Sequence, residues 1–330
     1  MSIDVAAELQ RLVDEEGARQ YADGTASRQA EVDGLRGVID DLNAVNANVR
    51  AELSALQRAY DDYRATHPDV PPDPEPEPEP PAPARTTVIG MSAPANLWDQ
   101  RLRDVGGAGI KARRIFGDLT ADGRSQSGLI EAAVRAGMTP VVSYKGTPTA
   151  ANVKAVRDYL ASLGVEVYAT WHHEPHGDMT PAAFRDGSKV FLGARSDGVK
   201  VGPILNGWLL DRRRTDFVSY TSPELMAAWD FFGFDTYQSD AQSTTYPGHR
   251  IPALLEVLAS AGRADMPVVV GEYNGWTAEA IAESGSIFLD CPNVVIACMW
   301  NSGPTGLGTP LEGERLAAFQ RTLRDPRVKR

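Results

Sequence analysis

Thiols are scarce in this chain. Cys291 and Cys298 are its two cysteines, and no metal-ligand spacing surrounds them. Both precede or lie inside a run expected to form a buried strand, so they read as small core residues, not as a disulfide framework or a metal site. No apolar stretch approaches the ~20 residues of a membrane span. The opening Met-Ser-Ile-Asp-Val has no basic region followed by an apolar run, so no signal peptide is expected. A basic stripe is missing as well. The net charge is −11, with the N-terminal third acidic and the rest nearly neutral, which argues against nucleic-acid binding.

The acidity is uneven. Residues 1–67 carry 7 basic and 13 acidic side chains, residues 68–85 carry 1 and 5, and the remaining 25 and 26 almost cancel. Three segments follow from this and from the apolar periodicity.

Residues 1–67 are expected to be helical. Val32, Ile39, Asn46, Leu53 and Tyr60 fall at one seam position of a heptad; Leu35, Leu42, Val49, Leu56 and Tyr63 fall at the other. The unbroken alternation of three and four predicts a coiled coil, dimeric or trimeric, with Asn46 as the one polar seam residue that fixes register at a cost in stability. A helix lying on the surface of the next domain is the alternative. Upstream, Ile3, Val5, Leu9, Leu12 and Val13 outline a short amphipathic helix, so residues 1–30 are a candidate docking segment for other proteins. Residues 68–85 run Pro-Asp-Val-Pro-Pro-Asp-Pro-Glu-Pro-Glu-Pro-Glu-Pro-Pro-Ala-Pro-Ala-Arg. Proline fixes φ and removes amide donors, so this is an extended spacer of roughly 50 Å at ~3.1 Å per residue.

Residues 86–330 alternate between strand and helix periods. Strands are expected at 87–92, 112–117, 140–144, 166–171, 201–205, 231–236, 267–272 and 294–300, each followed by a helical run, with Gly137, Gly164 and Gly262 at helix C-caps. Eight such units in this length predict a (β/α)8 TIM barrel. A doubly wound open sheet is the alternative, but Gly90-Met91-Ser92-Ala93-Pro94 is no phosphate-binding glycine turn.

Two runs carry the chemistry. Trp171-His172-His173-Glu174-Pro175 ends the fourth strand, and Val268-Val269-Val270-Gly271-Glu272-Tyr273 ends the seventh. In a barrel both glutamates reach the C-terminal mouth. Two carboxyls about 5–5.5 Å apart are the minimum for retaining glycoside hydrolysis: one ionised, one protonated. A zinc site is the rival reading of the histidine cluster. Adjacent strand residues point to opposite faces, so His172 and His173 cannot easily share an ion, and no metal or cofactor is expected. Asn206, Trp208, Tyr144 and Lys145 also end strands and are further cleft candidates. Asp118 and Arg114 read equally as cleft residues or as a structural ion pair.

The run His173-Glu174-Pro175-His176-Gly177-Asp178 resembles the His-Glu-Met-Asn-Gly-Asp run of glycoside hydrolase family 26. The resemblance extends to Phe232-Gly233-Phe234-Asp235-Thr236-Tyr237, Val270-Gly271-Glu272-Tyr273 and Ala297-Cys298-Met299-Trp300-Asn301, and covers residues 86–330 only. It implies a retaining endo-β-glycanase barrel. Glu174 would be the acid/base and Glu272 the nucleophile. Tyr237 would hydrogen-bond the nucleophile, His173 would support the acid/base, and Trp300 would floor the sugar site. Trp171, His176, Asn206 and Asp235 are further expected substrate contacts. His176 stands where the family has Asn, and Met179-Thr180 replaces an aromatic pair, so the substrate is expected to differ.

A coiled coil, an acidic spacer and a carbohydrase-like head suit a bacteriophage minor tail or tail-fibre protein acting on a surface polysaccharide. A catalytically silent glycan-binding head is the second reading, and a structural adaptor the third. The expected location is the virion or the extracellular space.

Overall fold

A computed structural model describes residues 87–329 apart from 108, 194–195 and 303–309, together with scattered positions between 44 and 66, all of them helical. The chain divides into two units, Met1–Pro81 and Ala82–Arg330. The spacer at 68–85, the segment 1–30 and the seam residues Val32, Leu35, Ile39, Leu42, Asn46, Val49 and Leu53 lie outside the described residues. The seam residues that are described, Leu56, Tyr60 and Tyr63, are all exposed.

The second unit alternates strand and helix. Its strands are β1 (Val88–Ser92), β2 (Ala112–Asp118), β3 (Thr139–Lys145), β4 (Val167–Trp171), β5 (Val199–Val201), β6 (Ile204–Asn206), β7 (Phe232–Tyr237), β8 (Val268–Asn274) and β9 (Val294–Trp300). Its helices are α1 (Trp98–Asp104), α2 (Ser127–Arg135), α3 (Ala150–Ser162), α4 (Pro181–Leu192), α5 (Trp208–Arg212), α6 (Arg214–Ser219), α7 (Pro223–Ala228), α8 (Ile251–Ser260), α9 (Ala278–Asp290) and α10 (Gly313–Arg324). Local chemistry sets several starts. Thr149 and Asn152 form a reciprocal capping box at α3, and the hydroxyls of Thr180 and Ser222 cap α4 and α7 just ahead of a proline in the first turn. Gly137, Gly164 and Gly262 do take left-handed φ where helix ends were expected.

All pairings are parallel, in the order β5-β4-β3-β2-β1-β9-β8-β7-β6. The two strands at the ends of this order, β5 and β6, are separated only by Gly202-Pro203. The sheet is therefore curled until its ends lie two residues apart, in a TIM-barrel-like α/β fold. One expectation needs correction here: the single fifth strand at 201–205 is two short strands. Proline at 203 has no amide to donate, so the first half pairs with β4 alone and the second with β7 alone. Gly202 crosses so close to Phe231 that a Cβ would meet its carbonyl oxygen at 2.1 Å.

Two cores result. A large one fills the space between strands and helices. A small one inside the curl takes Val88, Ala112, Val141, Tyr168, Ile204, Phe231, Val269, Ile296 and Cys298, nearly one from each strand position. Cys291 and Cys298 are both buried thiols. Among the described residues no helix is long and apolar enough to cross a membrane.

Candidate functional site

The site grows out of the inner core. Two residues beyond Ala112, Val141 and Tyr168 on the same strand faces stand Arg114, Ser143 and Thr170, all buried. Polar groups thus replace apolar ones toward the C-terminal ends of the strands. Above them opens a cavity of about 570 Å³ lined by Phe116, Gly117, Asp118, Ser143, Lys145, His173, Glu174, Tyr237, Glu272 and Trp300. A larger groove of about 770 Å³ lies on the outer helices, but its charged groups Arg214 and Glu256 satisfy each other at 2.9 Å. The chemistry belongs to the smaller cavity.

Glu272 owes its direction to a bulge. Val269 faces inward and Val270 outward, so strict alternation would turn Glu272 out. Between Val270 and Tyr273 the pairing with β9 slips, and Asp235 pairs with Glu272 while Phe234 pairs with Val270. Gly271 is the extra residue, and it resets the phase so that Glu272 enters the cavity. Only glycine fits, because a Cβ there would meet Asp235 Oδ1 at 2.4 Å.

Inside, Glu272 is nearly fully buried. Ser92 Oγ donates to its Oε1 at 2.9 Å and Tyr237 Oη donates to its Oε2 at 2.5 Å. Burial raises its pKa, while Arg114 and these two hydroxyls favour the charged form. Burial, then Glu272 and Asp235, hold the Tyr237 phenol well above its usual range, so it remains a donor.

Glu174 arrives by a different route. His172 and Glu174 both have positive φ, 49° and 50°. The His172 N–H donates to the Tyr144 carbonyl at 2.9 Å, and the Glu174 N–H reaches the Ile204 carbonyl at 2.8 Å. The first ties the end of β4 to β3, the second carries it across to β6, and together they hold the strained backbone. The Glu174 carboxyl is pushed up to about 7, by burial first and by Glu272 second. Because Glu272 acts on it as a charge, Glu272 ionises first and Glu174 is the proton holder of the pair. Asp235 is held well above the usual carboxylate range, by burial first and then by both glutamates. His173 is pushed down to about 2 by burial and Arg114, so it is a neutral imidazole. Its ring and the Trp300 ring flank Phe116, with centroids 4.9 and 6.4 Å away.

The expected site residues thus divide. Glu174, Glu272, His173, Tyr237 and Trp300 line one cavity, as do Lys145 and Asp118. Trp171 does not. It follows Tyr168 by an odd number of residues and so faces the helices, stacked on Phe184 with its Nε1 donating to the Gly146 carbonyl. Gly187 of α4 makes room for it: a Cβ there would meet the indole at 2.0 Å. Tyr144 is likewise buried on the helix side, against Phe191. Asp235 is buried beneath the cavity. Asn206 is buried too and acts on the loop, its Oδ1 accepting the His176 N–H at 3.2 Å. His176 packs edge-on to Trp208 and Tyr220 outside the cavity lining. Arg114 forms no ion pair with Asp118; its guanidinium lies 4.5 Å over the Phe116 ring. Ser92, Phe116 and Ser143 went unread in the sequence. Ser92 ends β1, and Phe116 and Ser143 continue the inward positions of β2 and β3, which was the available signal. Among the described residues no group of three His, Cys, Asp or Glu could hold a metal ion.

No protein-family model matches the chain, and no curated protein matches it. Solved structures are similar to it. A glucosidase from Croceicoccus marinus aligns with TM-score 0.52 and 13% identity over 73% of this chain and 68% of that one. A class V chitinase from Pseudomonas fluorescens gives 0.47 and 13%, over 72% and 100%. Endo-1,4-β-D-xylanase 10B of Clostridium thermocellum gives 0.49 and 10%, over 72% and 66%. At such identities the likeness is one of architecture, and the first of these alignments shows that the chain shares the fold of that glucosidase.

Proposed function

We propose that the barrel is a retaining glycoside hydrolase with Glu272 as nucleophile and Glu174 as general acid/base. The observation that carries this is the unequal pair: two carboxyls in one cavity, one held by Ser92, Tyr237 and the nearby Arg114, the other kept protonated to about 7. In the first step Glu272 attacks the anomeric carbon while Glu174 gives its proton to the departing glycosidic oxygen. The Glu174 carboxylate then takes a proton from water, and the water oxygen displaces Glu272 from the sugar. Trp300 and Phe116 offer apolar faces to the ring. Neutral His173 adds no cation to compete for the acid's proton. The shared barrel of the Croceicoccus glucosidase supports the reading at the level of fold.

The finer reading is an endo-β-glycanase acting on a surface polysaccharide. In it, residues 32–63 form an oligomeric stalk, residues 68–85 a spacer, and residues 1–30 an attachment to other proteins of a phage tail. The exposure of Leu56, Tyr60 and Tyr63 supports the stalk. Immunogold labelling of the tail in particles of the phage that encodes the chain tests the location; label absent from virions removes it.

Reducing-end release from mannans, glucans, xylans and bacterial envelope glycans tests the activity. Glu272→Ala should abolish turnover on every substrate. Glu174→Ala should spare glycosylation by an aryl glycoside, whose phenolate leaves unaided, and azide should then give a glycosyl azide of retained configuration. An inverted product eliminates the nucleophile role. Binding that survives both substitutions, with no hydrolysis of any glycan, assigns the barrel as a silent glycan-binding head.

A further inference from the structure

Among the described residues of the barrel unit, the aromatic side chains more than a third exposed are Trp208 and Trp276, at 41% and 38%. Both lie immediately past the C-terminal ends of strands, on the side of the barrel where the cavity opens. Trp208 begins α5, two residues after Asn206 of β6, and Trp276 follows β8, four residues after Glu272. The other tryptophans, 98, 171, 229 and 300, are buried or partly buried, so the two exposed indoles of the barrel unit both stand at the end where the cavity opens.

Both indoles are carried on fixed backbone. Trp208 follows Gly207, whose N–H donates to the Asp235 carbonyl at 2.8 Å and whose Cβ, if it had one, would meet that oxygen at 2.5 Å. The His176 ring stands edge-on against it at 5.3 Å, and His176 in turn packs on Tyr220 and Tyr220 on Phe184. A continuous row of rings therefore runs from the core to Trp208 and braces the loop that carries Glu174. On the other side the backbone N–H of Trp276 donates to Gln238 Oε1 at 2.7 Å. Gln238 is buried, adjoins Tyr237, and donates to the Ser243 carbonyl at 2.7 Å. Arg315 holds the Gly275 carbonyl at 2.9 Å and Asn274 Oδ1 at 2.8 Å. The backbone that carries Trp276 is thus fixed before anything binds, which lowers the ordering cost of recognition.

We propose that Trp208 and Trp276 are stacking platforms for pyranose rings of one glycan strand laid across the mouth, one on each side of the bond to be cut. This rests on the hydrolase reading of the cavity and deepens it. Trp208 is tied to the loop of Glu174, which meets the departing oxygen, so it serves the leaving-group side. Trp276 is tied to the strand of Glu272, which meets the anomeric carbon, so it serves the other. β6 and β8 are separated by one strand, and at ~4.8 Å per interstrand step their ends are about 10 Å apart, the reach of a short oligosaccharide. Flat indoles read the C–H face of a pyranose and carry no charge. The occupant is a neutral or weakly charged linear polysaccharide gripped internally, and not a chain end.

The test uses the full chain bearing Glu272→Ala, which binds without turnover. Affinity is measured by calorimetry for manno-, xylo-, gluco- and chito-oligosaccharides with β-1,4 links and two to six units. Affinity should rise steeply with length for at least one series. Trp208→Ala and Trp276→Ala should each weaken the hexasaccharide by about tenfold, with Trp→Phe at either position restoring most of the loss. Disaccharide binding should change less than hexasaccharide binding. Hexasaccharide affinity within twofold of the parent in both alanine variants overturns the proposal, as does affinity independent of length or no binding to any series. Failure of the hydrolase reading looks different: wild-type chain that releases no reducing ends while tryptophan-dependent, length-dependent binding persists.

Discussion

Replacing Glu174 by Gln should make the protein more stable at pH 8 and leave it unchanged at pH 4. The side chain keeps its size and its left-handed backbone, so the substitution isolates the charge. In the folded state the carboxyl is raised from 4.5 to about 7 by burial and by Glu272. Between those two values the native chain holds a proton that the unfolded chain has released. Stability therefore falls as pH rises through that window, with the full penalty above 7 and none below 4.5. The shift corresponds to on the order of 3 kcal/mol, a large part of the ordinary stability of a domain. Denaturant unfolding at the two pH values reads it directly. An equal change at pH 4 and pH 8 would refute the reasoning, since a lost contact has no pH dependence of this kind. A second comparison reads the backbone. With φ at 50°, Glu174→Gly should be more stable than Glu174→Ala by about 1 kcal/mol, the reverse of the usual order. The ordinary order at this position would show that the left-handed φ is not retained in solution.

Three further outcomes are expected. Tyr237→Phe removes the 2.5 Å donor to Glu272, so the acid limb of the pH–rate profile should move to higher pH and kcat should fall roughly 10- to 100-fold; the basic limb near 7, set by Glu174, should stay near its place. Gly271→Ala pushes a methyl into Asp235 Oδ1 and Ile204, which should cost about 1–3 kcal/mol in unfolding experiments and lower activity more than stability alone accounts for, because the bulge aims Glu272. In the stalk, light scattering should find residues 1–85 multimeric and residues 86–330 monomeric, and Asn46→Ile should raise the melting temperature while mixing oligomer sizes; a monomeric full-length chain sinks the coiled coil.

Arrangements that lower stability in isolation gather at one end of this molecule. Positive φ at His172 and Glu174, a bulge at Gly271, the buried carboxyls of Asp235 and Glu272, the partly buried one of Glu174 and the buried guanidinium of Arg114 all lie at or beneath the cavity. The apolar layer one step below, from Val88 round to Cys298, has none of them. Strain concentrated where charge must develop, and held by a well-packed base, is how a barrel carries a preorganised site. The surroundings of each carboxyl also differ. Glu272 has two hydroxyl donors, Glu174 faces a charge already present, and Asp235 faces two.

What could be read from the sequence followed the regular part of this design. Long apolar runs bounded by glycines and capping residues place most strands and helices nearly to their ends, but not α5 and α6, two short helices that no expected run covered. Each failure traces to one rule applied loosely. Strand side chains alternate, so with Tyr168 inside, Trp171 must face the helices, and its neighbourhood to Glu174 in sequence said nothing of its direction. Pro203 in the middle of an expected strand was itself a break signal. Glu272 shows the converse. Strict alternation from Val269 would have removed it from the site, and it lies there only because Gly271 adds a residue. An isolated glycine in a strand is a bulge signal, and reading it would have turned a placement by strand number into one by geometry. Trp208 was legible as a strand-end residue, whereas Trp276, two residues past the end of β8, has the same kind of place and carried the same signal. The direction of a side chain, more than its identity, is what the sequence leaves to the fold.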